Sequence, residues 1–147
     1  MTLAVFADAS AVVKLYADER GADRVRAISR LVISQLSRVE VPSALWKKHR
    51  MGDLSAGAVA TLLAEFEADL FGTEEEPPRL IAVASTAEIL DEAARLVGVY
   101  GLRAYDAVQL ASAAAARRVC DAPLNFLAFD DALCTAALAE GITPLDT

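Results

Sequence analysis

Cysteine and histidine are scarce, two and one in 147 residues, and their scarcity excludes several kinds of chemistry. Cys120 and Cys134 are too few for a disulfide framework, and with His49 they cannot complete a four-ligand zinc site. Both thiols are expected to pack as small apolar groups. Long hydrophobic runs are also missing: none reaches the roughly 18 to 20 residues that cross a bilayer, and Met1 to Phe6 carries no basic charge. The expectation is a cytoplasmic, reduced protein with no membrane role. No G-x-x-x-x-G-K-[ST], G-x-G-x-x-G or G-x-S-x-G pattern occurs, which weakens nucleotide-binding and hydrolase-elbow readings. A basic excess is lacking as well. Fourteen Lys and Arg stand against 21 Asp and Glu, a net charge of −7, so nucleic acid could be gripped only by a local basic surface.

What the chain does have is a 55% hydrophobic share, ample for a core, and a length that suits one domain over residues 1–147. No repeat, low-complexity tract or linker divides it. Leu3 to Phe6 reads as a strand, and Ser10 to Tyr16 has helical spacing. A helix over Ala22 to Ser29, the apolar run Leu31 to Ile33 and a long helix through Trp46 to Arg50 follow. Gly52-Asp53 breaks that helix. Ser55 to Phe71 is amphipathic, with Val59, Leu62, Leu63 and Phe66 on one stripe, and Gly72 to Pro78 is an acidic, proline-containing loop. Leu80 to Val83 is a strand, Thr86 caps a helix ending near Gly98, and Arg103 to Arg118 is an alanine-rich helix. Leu124 to Phe129 reads as a buried strand before a last helix over Ala132 to Glu140. Strands alternating with helices predict an α/β, three-layer α/β/α sandwich: a central parallel sheet of four to five strands and about seven helices.

Asp8 and Asp130 each end an apolar run and precede a helix, so both belong at the carboxyl ends of strands. Glu40 and Asp106 lie in the early turns of two further helices, which start at the same sheet edge. Four acids distant in the chain therefore converge in this reading. Gathered carboxylates repel unless a cation joins them, and Mg²⁺ or Mn²⁺ is the oxygen-seeking partner. A bound ion acidifies water and stabilises phosphoryl oxygens, the requirements of phosphodiester hydrolysis. Each acid also has a purely structural role open to it. Asp8 or Ser10 could cap the first helix, and Asp130 or Asp131 the last. Ser37-Arg38-Val39-Glu40 matches a capping box, and Asp106 suits a helix macrodipole.

The segments holding these acids are AVFADASAVVKLYADE, SQLSRVEVPSAL, LRAYDAVQLASA and LAFDDAL. In order and spacing, over nearly the whole chain, they resemble the four motifs of the PIN-domain family, and in particular its VapC branch of toxin ribonucleases. The resemblance implies a Mg²⁺- or Mn²⁺-dependent endoribonuclease, the toxin of a VapBC-like pair, inhibited by a VapB-like antitoxin and forming a homodimer. It makes Asp8 and Asp106 the principal metal ligands, with Glu40 and Asp130 completing the acidic pocket and Ser10 as a supporting hydroxyl. Asp130 is preferred over Asp131 because it follows Phe129 directly. Pro42, two residues after Glu40, departs from a smooth helix and bears on where that glutamate points.

Lys47, Lys48, His49 and Arg50 could meet RNA phosphates or form a solvated helix face, and Arg24, Arg26 and Arg30 are equally open. His49, beside three cations, is expected to be exposed. Tyr16, Trp46 and Phe66 suit a core better than base stacking. An exposed stripe around Val59, Leu62, Leu63 and Phe66 would fit an antitoxin helix, or be ordinary core. Two rivals stand beside the ribonuclease: a receiver-like domain that accepts phosphate on aspartate, and a PIN module of little activity that only binds an antitoxin in a repressor complex.

Overall fold

A computed structural model of the protein describes residues 3–146. Within them five strands form one all-parallel sheet: β1 (Ala4–Ala7), β2 (Leu31–Ser34), β3 (Leu80–Val83), β4 (Leu124–Leu127) and β5 (Thr143–Pro144). Seven helices connect and cover them: α1 (Ala9–Val13), α2 (Ala22–Arg26), α3 (Ser37–Arg50), α4 (Ala56–Phe71), α5 (Ala87–Tyr100), α6 (Ala104–Val119) and α7 (Asp131–Ala139). The spatial order is β3-β2-β1-β4-β5. Winding proceeds outward in both directions from the centre, so the order reverses between β1 and β4, the place where doubly wound sheets open a crevice beyond their strand ends. Receiver-type sheets use the order 2-1-3-4-5 instead, so the topology removes the receiver-like rival.

Side chains alternate across a strand, and both faces of this sheet are buried accordingly. Val5 and Ala7 face one core with Leu31, Ile33 and Leu80, covered by residues of α1 to α4. Phe6, Leu124 and Phe126 face the other, under α5, α6 and α7. Phe6 pairs with Phe126 across β1 and β4, and their rings stack at 5.8 Å with 6° between planes. Ala107, Ala111 and Ala113 of α6 are fully buried and bring that helix close to its neighbours.

Several boundaries differ from the sequence reading. The first strand begins one residue later than expected and ends at Ala7, directly before Asp8. The first two helices are short: α1 ends at Val13 and passes into turns, and α2 ends at Arg26. Helix α5 runs on through Gly98 to Tyr100, because the left-handed residue that stops it is Gly101, at φ 66°. Strand β4 stops at Leu127, two residues short, since its last ladder partner is Ala7 and the chain then turns out of the sheet. The amphipathic stripe of α4 packs into the core: Val59 and Phe66 are buried and Leu62 and Leu63 half-buried, so no exposed stripe remains for a partner. Tyr16 is buried with Phe66 edge-on at 5.5 Å, and its hydroxyl donates to Asp69 at 2.7 Å.

Phe126→Ala removes the stacked ring at the centre of one core. We expect the unfolding free energy to fall by about 3 to 5 kcal/mol in urea denaturation, and a loss below about 1 kcal/mol would mean that this face is loosely packed.

Candidate active site

The carboxyl ends of β1 and β4 lie side by side at the switch point. The Asp8 N–H donates to the Leu127 carbonyl at 3.0 Å, extending the ladder by one bond and fixing where Asp8 stands. Its carboxylate then turns back over α1: Oδ1 accepts from the Ala11 N–H at 2.9 Å, and the Ser10 hydroxyl donates to Oδ1 at 2.8 Å and to Oδ2 at 3.0 Å. Asp8 is thus the N-cap of α1 and is also nearly closed off, at 4% exposure. Asp130 plays the matching part after β4, capping α7 through the Leu133 N–H at 2.8 Å. Asp131 is the exposed first residue of that helix, as expected.

Glu40 departs from the capping-box alternative. Helix α3 enters through Leu36 with no side-chain cap, and Ser37 is already helical and fully buried. Released from a capping role, the Glu40 carboxylate reaches across to α6, where Gln109 Nε2 donates to its Oε1 at 2.8 Å. Pro42 lies in the helix interior, past the first turn, and α3 nonetheless continues to Arg50. Gln109 was not singled out from the sequence, although one signal was present: with Ser112 it is a polar residue on the buried face of an alanine-rich helix, one turn beyond Asp106. Gln109 Oε1 has no protein donor among the described residues.

Electrostatics tie the four acids together. Burial is the main cause that lifts Asp8 from 3.8 to about 6, opposed by its hydrogen bonds from Ala11 and Ser10 and reinforced by the charges of Asp106 and Glu40. Glu40 is raised, first by burial and then by Asp106, against the hydrogen bond from Gln109. Asp106, in the first turn of α6, is raised by burial and by Asp130, with Arg103 opposing. Asp106 is the common neighbour, acting on Asp8 and Glu40 and itself raised by Asp130. None of the four joins an ion pair among the described residues.

This donor set fits a hard divalent cation. It offers carboxylate oxygens alone, with surplus negative charge. Among the described residues no three His, Cys, Asp or Glu groups stand together closely enough to hold a metal ion by themselves. Magnesium is suited to that arrangement, taking one or two carboxylates and keeping water in its remaining positions, whereas structural zinc wants four nitrogen or sulfur ligands. His49 is half-buried rather than exposed, with Nδ1 2.8 Å from the Leu54 carbonyl and the ring edge-on to Trp46, so it belongs to the α3–α4 turn.

The profile of the PIN domain matches residues 5–137, which covers β1 to α7. The chain belongs to the PIN-domain family. No curated protein sequence matches it. Among solved structures it is similar to VapC20 of Mycobacterium tuberculosis, described as a sarcin-ricin loop cleaving toxin. That likeness has a TM-score of 0.65 and 18% identity, over 98% of this chain and 100% of the other. It is also similar to a chain of a toxin–antitoxin complex from Klebsiella pneumoniae, with a TM-score of 0.56 and 19% identity over 86% of each chain. At such identities the likeness is one of fold. No helix among the described residues is long and apolar enough to cross a membrane.

Because burial raises Asp8 above the value of an open carboxyl, the folded chain holds its proton more tightly than the unfolded chain does. The stability tied to that proton is complete below about pH 4 and is lost as pH climbs through about 6. Asp8→Asn keeps a capping acceptor and removes the charge. In the presence of chelator, this variant should therefore be more stable than wild type near neutral pH by on the order of 2 kcal/mol, with the gap closing on acidification. Denaturation at several pH values checks this, and equal stability at neutral pH would contradict it.

Proposed function

We propose that this PIN domain, one unit over residues 1–147, is a Mg²⁺- or Mn²⁺-dependent endoribonuclease, the toxin of a VapBC-like toxin–antitoxin pair. The observation that carries the reading is that Asp106 acts on Asp8 and Glu40, and Asp130 on Asp106, near the switch point of a PIN sheet, with none of the four acids in an ion pair among the described residues. The fold likeness to a sarcin-ricin loop cleaving toxin and to a chain of a toxin–antitoxin complex supports RNA as substrate and an antitoxin protein as partner. Action in the cytoplasm as a homodimer belongs to the same reading.

Asp8, Asp106 and Asp130 would hold the ion, which would supply an acidified water and charge stabilisation at the phosphoryl oxygens. The chain's own groups prepare that chemistry. The Ala11 N–H and the Ser10 hydroxyl hold the Asp8 carboxylate in one orientation, and burial keeps bulk water from it. Gln109 occupies Oε1 of Glu40, which leaves Oε2 free to take a proton from the attacking water. The hydrogen bond also anchors the flexible glutamate, so that α3 and α6 act together on one rim. Attack by water at phosphorus would break the P–O3′ bond, leaving a 5′-phosphate on one product and, with a proton taken up by the leaving oxygen, a 3′-hydroxyl on the other.

Purified protein should cut a structured RNA to fragments with 5′-phosphate ends when Mg²⁺ or Mn²⁺ is added, and chelation should stop it. Asp8→Asn and Asp106→Asn should each lower cleavage by about a hundredfold or more while the domain stays folded. Wild-type rates in both variants would remove these acids from the mechanism. Growth arrest on expression, relieved by co-expressing the product of a neighbouring gene, tests the toxin role.

A further inference from the structure

A groove of about 510 Å³ extends from the acidic rim to the last turn of α3. Ser10 and Asp130 line it together with Lys14, Lys47, Lys48 and Phe129. Lys14 closes the end of α1 and Lys48 belongs to α3, so these two cations reach one place from separate elements. Between them lies Glu19: its Oε1 is 3.3 Å from Lys14 Nζ and its Oε2 is 2.6 Å from Lys48 Nζ. Burial works against the ionised form of Glu19, but the two lysines outweigh it and hold the carboxyl below its ordinary range.

One carboxylate spread across two ammonium groups defines a seat for an anion that offers a pair of charged oxygens. A backbone phosphodiester has the same feature in its two non-bridging oxygens. We propose that this seat takes a backbone phosphate of the RNA beside the scissile bond, and that Glu19 fills it until the strand displaces it. The identity of the polyanion rests on the ribonuclease reading above.

Three features favour exchange over a fixed structural bridge. Glu19 lies in the segment between α1 and α2, outside any helix or strand, and can turn to solvent without unfolding an element. The Lys14 side chain is only 12% exposed and stands 4.5 Å over the Phe129 ring, so its ammonium is already placed and loses little freedom on binding. Lys47 lines the same groove and makes no ion pair among the described residues; Lys14, Lys47 and Lys48 face Glu19, Asp53 and Asp130 there, so the lining turns net positive when Glu19 swings away. Phe129 itself is pressed against Gly21, where φ is +89° and an added Cβ would stand 2.5 Å from Phe129 Cε1. In a chain of net charge −7 such a local surface is what a polyanion requires. A resident carboxylate lowers the affinity for adventitious anions and sets a threshold that a strand with several phosphates overcomes.

The test is binding of a fluorescein-labelled single-stranded RNA oligonucleotide at low salt in EDTA, followed by anisotropy, so that no metal or cleavage enters. Lys14→Gln and Lys48→Gln should each weaken binding about tenfold, and Glu19→Gln should tighten it about threefold or more. The double lysine variant should also lose about 0.7 from the slope of log affinity against log salt, one phosphate's worth of counterion release. Lys48, on the surface of α3, supplies the variant that keeps the fold should Lys14→Gln melt early in circular dichroism. Wild-type affinity in a folded Lys48→Gln, or unchanged or weaker binding by Glu19→Gln, overturns the seat. If RNA is never cut with Mg²⁺ and yet the binding pattern appears, the nuclease reading falls and the seat stands. Metal-dependent cleavage with a KM indifferent to these residues leaves the nuclease reading and removes the seat.

Discussion

Repulsion among carboxylates forced into one place is the constraint around which this fold is arranged. Left to itself, a negative charge as enclosed as that of Asp8 would protonate or move to water. Here it does neither freely, because its backbone continues the β1–β4 ladder and its oxygens are tied to Ala11 and Ser10. The order β3-β2-β1-β4-β5 brings the ends of β1 and β4 together, and with them two helix N-termini whose N–H groups favour negative charge. The protein thus sets helix caps and ladder bonds against electrostatic cost, and the uncompensated remainder is a surplus of negative charge at the rim.

The same rim is joined to the two cores on opposite sides of the sheet. Asp8 follows a strand shared by both layers, Glu40 comes from a helix on one side, and Asp106 from a helix on the other. The hydrogen bond from Gln109 to Glu40 crosses between those layers at the edge of the sheet. Where acid function and structural support are so combined, the cap and the candidate ligand are one residue. A cap formed by Asp8 or Asp130 therefore does not exclude the ligand role proposed for it.

Positive charge is organised in the opposite manner. The acids stand unpaired at the rim, whereas Lys14 and Lys48 are both matched by Glu19. In the function proposed, an acidic protein must present cations to a polyanion without leaving them half-buried and bare, and an exchangeable carboxylate meets both conditions. Lys48 belongs to a basic run evident in the sequence, whereas Lys14 and Glu19 lie inside a motif that stands out for Asp8 and Ser10.

Periodicity and composition alone determined the alternation of strands and helices, the parallel sheet, and the placement of Asp8, Asp106 and Asp130 at strand ends or helix starts. Those properties are set by neighbours within a turn or two, and a linear pattern records them. Three-dimensional packing decided that Glu40 turns to Gln109 rather than to its own helix start, that His49 folds under the α3–α4 turn, that the α4 stripe is core, and that Lys14, Glu19 and Lys48 meet. Gln109 and Glu40 are 69 residues apart. Their contact depends on the order of strands in the sheet and on the close approach of an alanine-lined helix, which no local pattern encodes.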